Sequence, residues 1–168
     1  EQKTALRDYT GATYEPLNAY LRDPALYRKR NGAAAASKMR ELARVTHEAM
    51  ATMPRAPSDV VLFRGLSLSR RDDKAQMDAM AATGEVTLPS FGSFTRSPRT
   101  ARAFAAQKDA SVVYRIRSHR SGVMMEGISS VPGEREVLFP PGTRFRVVAR
   151  QRVNPDQLVV DLEEITDD

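Results

Sequence analysis

Hydrophobic residues in the first third of the chain recur at helical spacing. In "TYEPLNAYLRD" (13–23), Leu17, Tyr20 and Leu21 stand at i, i+3 and i+4, which predicts a short amphipathic helix. "AAAASKMRELARVTHEAMATM" (33–53) is rich in strong helix formers and aligns Met39, Leu42, Ala43, Thr46 and Met50 on one stripe. Pro54 and Pro57 stop that helix. "RRDDKAQMDAMAAT" (70–83) predicts a third, with Asp72 or Asp73 as its cap and Gly84 closing it. The remainder reads as strands, at 59–65, 85–95, 111–117, 135–139, 144–153 and 157–165. "RFRVVARQRV" alternates as a strand with one wet face does. Helices ahead of many strands predict an α+β fold, a helical lobe over about residues 1–58 packed on a β core over about 59–165.

Composition narrows the chemistry. A chain of 168 residues with 41% apolar content supports one core and one domain. The absence of cysteine excludes disulfides and thiolate metal sites, and His47 and His119 show no metal-ligand or triad spacing. No apolar run approaches the roughly 20 residues that span a bilayer. No Walker loop or GxGxxG is present. The opening "EQKTAL" reads as the start of a domain taken from a longer protein. Charge is uneven: all but one of the 26 Lys+Arg precede residue 151, and six acids follow it. The basic residues are mostly arginine, suited to bidentate phosphate or carboxylate contacts. A solvated basic surface and attraction to an anionic partner are both compatible with that balance.

Polar residues that interrupt apolar strands are the candidates for a site. Arg64 in "VVLFRGL" either reaches the solvent end of its strand or clamps a phosphate, with Gly65 allowing close backbone approach. Ser93 and Thr95 in "SFGSFTRSPRTARAFA" fall on one strand face, and Ser97 with Pro98 suits the start of a following helix. Singly, these hydroxyls are ordinary strand polarity. In "GEREVLFPPGTRF" (133–145), Glu134 and Glu136 also share a face, where two carboxylates repel unless something cationic or polar lies between them.

Taken in order, Arg64, Ser93-x-Thr95 and Glu134-x-Glu136 resemble the R-S-E class of mono-ADP-ribosyltransferases, in its bacterial toxin and effector branch. "LFRGL" is similar to that family's first-strand arginine motif, and "FGSFTRSPRTARAFA" to its Ser-Thr-Ser strand and next helix. "GEREVLFPPGTRF" is similar to its Glu-x-Glu strand with the Pro-Pro-Gly turn, and "YTGATYEPLNAYLR" (9–22) to its N-terminal helix, with Asn18 and Arg22 in register. The likeness runs from about residue 9 to residue 150. Phe94 replaces the family's middle threonine, Thr95 its last serine, and Val131 the aromatic residue that many relatives carry before the first glutamate.

The resemblance implies an ADP-ribosyltransferase-like fold with a mainly antiparallel two-sheet β core. It implies transfer of ADP-ribose from NAD, a co-substrate, to an arginine of a target protein, with side NAD hydrolysis and no metal. On the family's pattern Glu136 faces the ribose, Ser93 holds Glu136, Glu134 receives the acceptor guanidinium, and Arg64 with Arg22 clamps the pyrophosphate. Asn18, Gly65, Ser93, Thr95 and Phe104 complete the NAD contacts, with Thr95 and Phe104 at the nicotinamide. It implies a secreted or delivered effector acting in the target-cell cytoplasm, with room for a cognate immunity protein. Two alternatives stand beside it: ADP-ribosylation of nucleic acid, and a module that binds NAD or a partner without turnover.

Overall fold

The computed structural model describes residues 14–67, 71–97, 99, 111–125, 136–155 and 157–166. Three helices lead: α1 (Tyr14–Arg22), α2 (Pro24–Asn31) and α3 (Ala33–Met50). Leu17 is wholly buried, while Tyr20 and Leu21 pack beside it, as the spacing requires. In α3 the buried stripe is Ala36, Met39, Thr46, Ala49 and Met50. The middle helix was not anticipated. It has no buried residue, so no hydrophobic period marks it. Local chemistry makes it instead: the Asp23 carboxylate accepts the Leu26 N–H at 3.0 Å, and Pro24 sits in the first turn. Gly32, at φ +96°, ends it by donating its N–H to Arg28 O at 2.8 Å.

The strands are β1 (Leu62–Ser67), β2 (Glu85–Thr87), β3 (Gly92–Thr95), β4 (Ser111–Ser118), β5 (Val123–Met124), β6 (Glu136–Phe139), β7 (Arg144–Asn154) and β8 (Gln157–Glu164). Helix α4 (Arg71–Thr83) lies between β1 and β2. Because α4 starts at Arg71, Asp72 and Asp73 fall inside its first turn rather than at its cap. The run expected as one strand over 85–95 is two, β2 and β3, parted by Leu88, Pro89, Ser90 and Phe91; proline cannot donate to a ladder. β1 begins three residues later than the apolar run suggested.

The order across the sheet is β2-β7-β8-β4-β1-β3-β6-β5, with β4 and β8 parallel and the other ladders antiparallel. Continuity is thin at one place. β1 pairs β4 through six residues but β3 through one, Phe63↔Thr95. Where two sheets were expected there is one eight-stranded sheet, in two blocks of strands that share a single pair. The larger core draws on both blocks, and the smaller one on the β3-β6-β5 block with the leading helices. Met77 and Met80 of α4 pack with Leu62, Leu66, Tyr114, Phe94, Phe139 and Phe145 on one side. Leu17, Met39 and Met50 of the leading helices pack with Phe91, Val123 and Leu138 on the other. The acidic C-terminal stretch lies within the sheet, between two basic strands. There Asp161 pairs with Arg115 and Glu163 with Arg146.

Candidate active site

β3 and β6 run antiparallel with Ser93 opposite Leu138, Phe94 opposite Val137 and Thr95 opposite Glu136. Alternation sends Phe94, Val137 and Phe139 into the core under α4. Ser93, Thr95 and Glu136 are left on the face shared with Leu138, which α1 and α3 cover. There the Ser93 hydroxyl donates a hydrogen bond to Glu136 Oε1. Both side chains are half-buried, so the carboxylate is held yet reachable. Thr95 Oγ1 accepts the Ser97 N–H at 3.0 Å and shapes the chain's exit from β3. The structure therefore brings three of the expected site residues together. Glu134 and Phe104 lie outside the described residues.

Arg64 does not reach the end of a strand. It is the third residue of six in β1, directly opposite Tyr114 of β4. Its guanidinium carbon lies 5.7 Å from the centre of the Phe94 ring, within cation–π range. It therefore approaches β3 from the face opposite Ser93 and Glu136, at the place where β1 and β3 part. Arg64 is half-buried and has no hydrogen-bond or ion-pair acceptor among the described residues. A cation so placed is costly unless an anion joins it, which favours an anionic ligand here. Tyr114 beside it is fully buried, and its hydroxyl has no partner among the described residues. Burial pushes that hydroxyl well above its ordinary range; Arg64 works against the shift and Asp73 with it. Gly65 follows in the strand, opposite Val113.

One contributor was not read from the sequence. A Cβ on Gly92 would stand 2.8 Å from Leu88 Cδ1 and 3.2 Å from Arg64 Nη1. The missing side chain is thus what lets the Arg64 guanidinium lie against β3. A glycine inside a strand signals such an approach, and "SFGSF" carried that signal.

Asn18 and Arg22 sit one helical turn apart on α1, Asn18 half-buried and Arg22 in the last turn. Leu17 between them and the sheet packs in the core that contains Leu138, so α1 belongs to the wall over the Ser93–Glu136 face. Among the described residues no group of three His, Asp or Glu side chains is placed to hold a metal ion. No helix among them is long and apolar enough to cross a membrane. The arrangement offers a fixed carboxylate for developing positive charge and, for an anion, a guanidinium unpaired among the described residues.

A family model described as ADP-ribosyltransferase exoenzyme matches residues 1–167. Vis of Vibrio splendidus, named as an NAD(+)–arginine ADP-ribosyltransferase, is 24% identical over 161 residues, covering 91% of this chain and 60% of Vis. The chain thus spans about three fifths of that curated relative. The structure of Vis solved with agmatine is similar at a TM-score of 0.77 and 21% identity, over 98% of this chain and 74% of that one. The catalytic domain of VahC from Aeromonas hydrophila is similar at 0.69 and 22%, over 98% and 97%. At these identities the two structures speak to the fold.

Proposed function

The chain belongs to the ADP-ribosyltransferase exoenzyme family, and on that premise we propose that it transfers ADP-ribose from NAD to an arginine side chain of a target protein. The observation that carries the reading is the Ser93–Glu136 hydrogen bond, one face away from a half-buried Arg64 without an acceptor among the described residues. NAD, passing where β1 and β3 part, brings its pyrophosphate to Arg64 and its ribose to Glu136, and Arg22 assists from α1. Nicotinamide leaves with the electrons of its bond to the ribose, and positive charge grows on the sugar as in glycoside cleavage. Glu136, fixed by Ser93, faces that charge and lowers the barrier electrostatically. A nitrogen of the acceptor guanidinium then bonds to the sugar carbon, and its proton passes to Glu134. Glu134 stands two residues before Glu136 in the sequence, and we assign it to that incoming cation. Arginine is almost never neutral in water, so a carboxylate there is chemically required.

Several features support this reading. The curated relative carries the name of an arginine enzyme, and one neighbouring structure was solved with agmatine, a small guanidine. We read the parent protein as a toxin delivered to a recipient cell, where the target resides. The test is a pair of isosteric substitutions. Glu136→Gln should reduce both NAD hydrolysis and transfer by roughly 100-fold or more, since both need the sugar charge stabilised. Glu134→Gln should spare hydrolysis, with water as acceptor, and lose transfer to agmatine. Equal loss of hydrolysis in the two variants would overturn the division of labour.

A further inference from the structure

Between α1, α2 and α3 lies a cavity of about 310 Å³, lined by none of Ser93, Thr95 and Glu136. Arg28 and Arg40 line it, with the Ser37 hydroxyl and an apolar floor that includes the Tyr20 ring and Ala36. Neither arginine has an ion-pair or hydrogen-bond acceptor among the described residues, and the same holds for Lys29, Arg30 and Lys38 around them. One turn further along α3, by contrast, Arg44 is paired with both Glu41 and Glu48. The helix therefore supplies acids to one arginine and withholds them from those at the cavity. Two guanidinium groups sharing a wall repel, and an anion between them relieves that repulsion. The basic helix α2 buries no residue, so its side chains are not there to build a core.

We propose that this cavity receives an acidic segment of the acceptor protein, a proposal that rests on the arginine-transfer reading above. By the space of roughly 30 Å³ that a water takes in the liquid, the cavity would hold about ten waters, so a lone small anion would leave most of it wet. A glutamate side chain offers methylenes for the apolar floor and a carboxylate for the Arg28 and Arg40 forks. The charge is gathered around one small cavity on an eight-residue helix and its neighbour. It is not laid along a groove that a phosphate backbone could follow, which favours protein over nucleic acid. Tyr20 lies about 200° around α1 from Asn18 at 100° per residue, on the helix flank away from the expected NAD contacts. Docking at the cavity and NAD binding are therefore compatible, and the pair would select arginines with acidic neighbours.

The test uses the full 168-residue chain and two arginine peptides, one flanked by glutamates and the other by glutamines, with agmatine as an acceptor lacking flanks. Wild type should show a KM about tenfold lower for the acidic peptide. In Arg28→Glu/Arg40→Glu that preference should vanish while NAD hydrolysis and agmatine transfer stay within about twofold of wild type. Arg28→Lys/Arg40→Lys should keep part of the preference, since the charge stays and the fork is lost. It also keeps the test open if the charge reversal melts early. No preference in wild type, or a preference that survives charge reversal, overturns the proposal. So does competition by a single-stranded RNA that charge reversal abolishes, because the occupant would then be nucleic acid. Absence of agmatine transfer in wild type would overturn the arginine reading itself, and this inference with it.

Discussion

Replacing Ser93 by alanine removes the hydroxyl that holds Glu136 and leaves β3 otherwise intact. The lost contact is a hydrogen bond from a neutral donor to a carboxylate on a half-buried face. Bonds of that kind contribute about 1.5–3 kcal/mol. If the carboxylate exerts its full effect only as positive charge grows on the ribose, the loss appears in the transition state. At about 1.4 kcal/mol per decade it amounts to a fall of roughly 10- to 150-fold in kcat. On the proposed reading, ground-state binding of NAD rests on Arg64 and α1, so its Kd should move by less than about twofold. Nicotinamide release at saturating NAD, together with calorimetric titration of NAD, separates the two quantities. Ser93→Thr keeps a donor and should recover part of the rate. Should Ser93→Ala retain kcat within a factor of about two, or lose NAD affinity alone, Ser93 does not act through Glu136.

Three further outcomes are expected. Arg64→Lys keeps the charge but not the fork, so NAD affinity should weaken by about 1.5–3 kcal/mol with little change in melting temperature; calorimetry showing an unchanged Kd would return Arg64 to a solvated role. Gly92→Ala should destabilise the fold by about 1–3 kcal/mol and raise the KM for NAD, because its methyl would meet Leu88 at 2.8 Å and Arg64 at 3.2 Å; a denaturation midpoint equal to wild type would count against it. Asp161→Asn breaks a two-point bond to Arg115, at 2.5 and 3.0 Å. The Arg115 hydrogen bond holds Asp161 below its ordinary value of 3.8, so its stabilisation is present above that pH and lost as pH falls through the lower folded value. At neutral pH we expect a loss of about 1 kcal/mol, reduced by the solvent that still reaches the pair, and convergence with wild type in acid melts.

Much of the candidate site could be read from the sequence because it is strand-borne. Period-two alternation alone puts Ser93 with Thr95, and Glu136 beside them once β3 and β6 pair. The pairing itself is long-range and left no local mark. The parallel placement of β8 beside β4 was equally invisible. The acids near the C-terminus read as a charge imbalance, whereas in the fold they neutralise Arg115 and Arg146 on adjacent strands. Helix α2 escaped for the opposite reason. Its signals are a cap and a proline, and a search for hydrophobic period passes over them. Arg64 was misplaced at a strand end because the apolar run before it is longer than the strand it feeds.

The one-pair contact between β1 and β3 explains why the site residues gather where they do. A strand paired along its whole length hides its backbone edge and packs its neighbours' side chains closely. β1 and β3 meet only at Phe63 and Thr95 and then diverge, so side chains next to that pair have room on either side. Ser93 and Glu136 use one side and Arg64 the other, with Gly92 thinning the strand between them. Phe94 makes the thinning tolerable. Its ring, buried against Phe139 and Phe145, anchors β3 in the core while its outer face receives the Arg64 guanidinium. A hydroxyl at position 94 would fill neither role, since it would bring a polar group into an aromatic cluster without a partner. The ring at position 94 and the glycine two residues before it thus both accommodate the Arg64 guanidinium. The two should be exchanged together if either is changed: Phe94→Thr alone removes buried aromatic area and should destabilise by about 3 kcal/mol or more, as large-to-small core changes do.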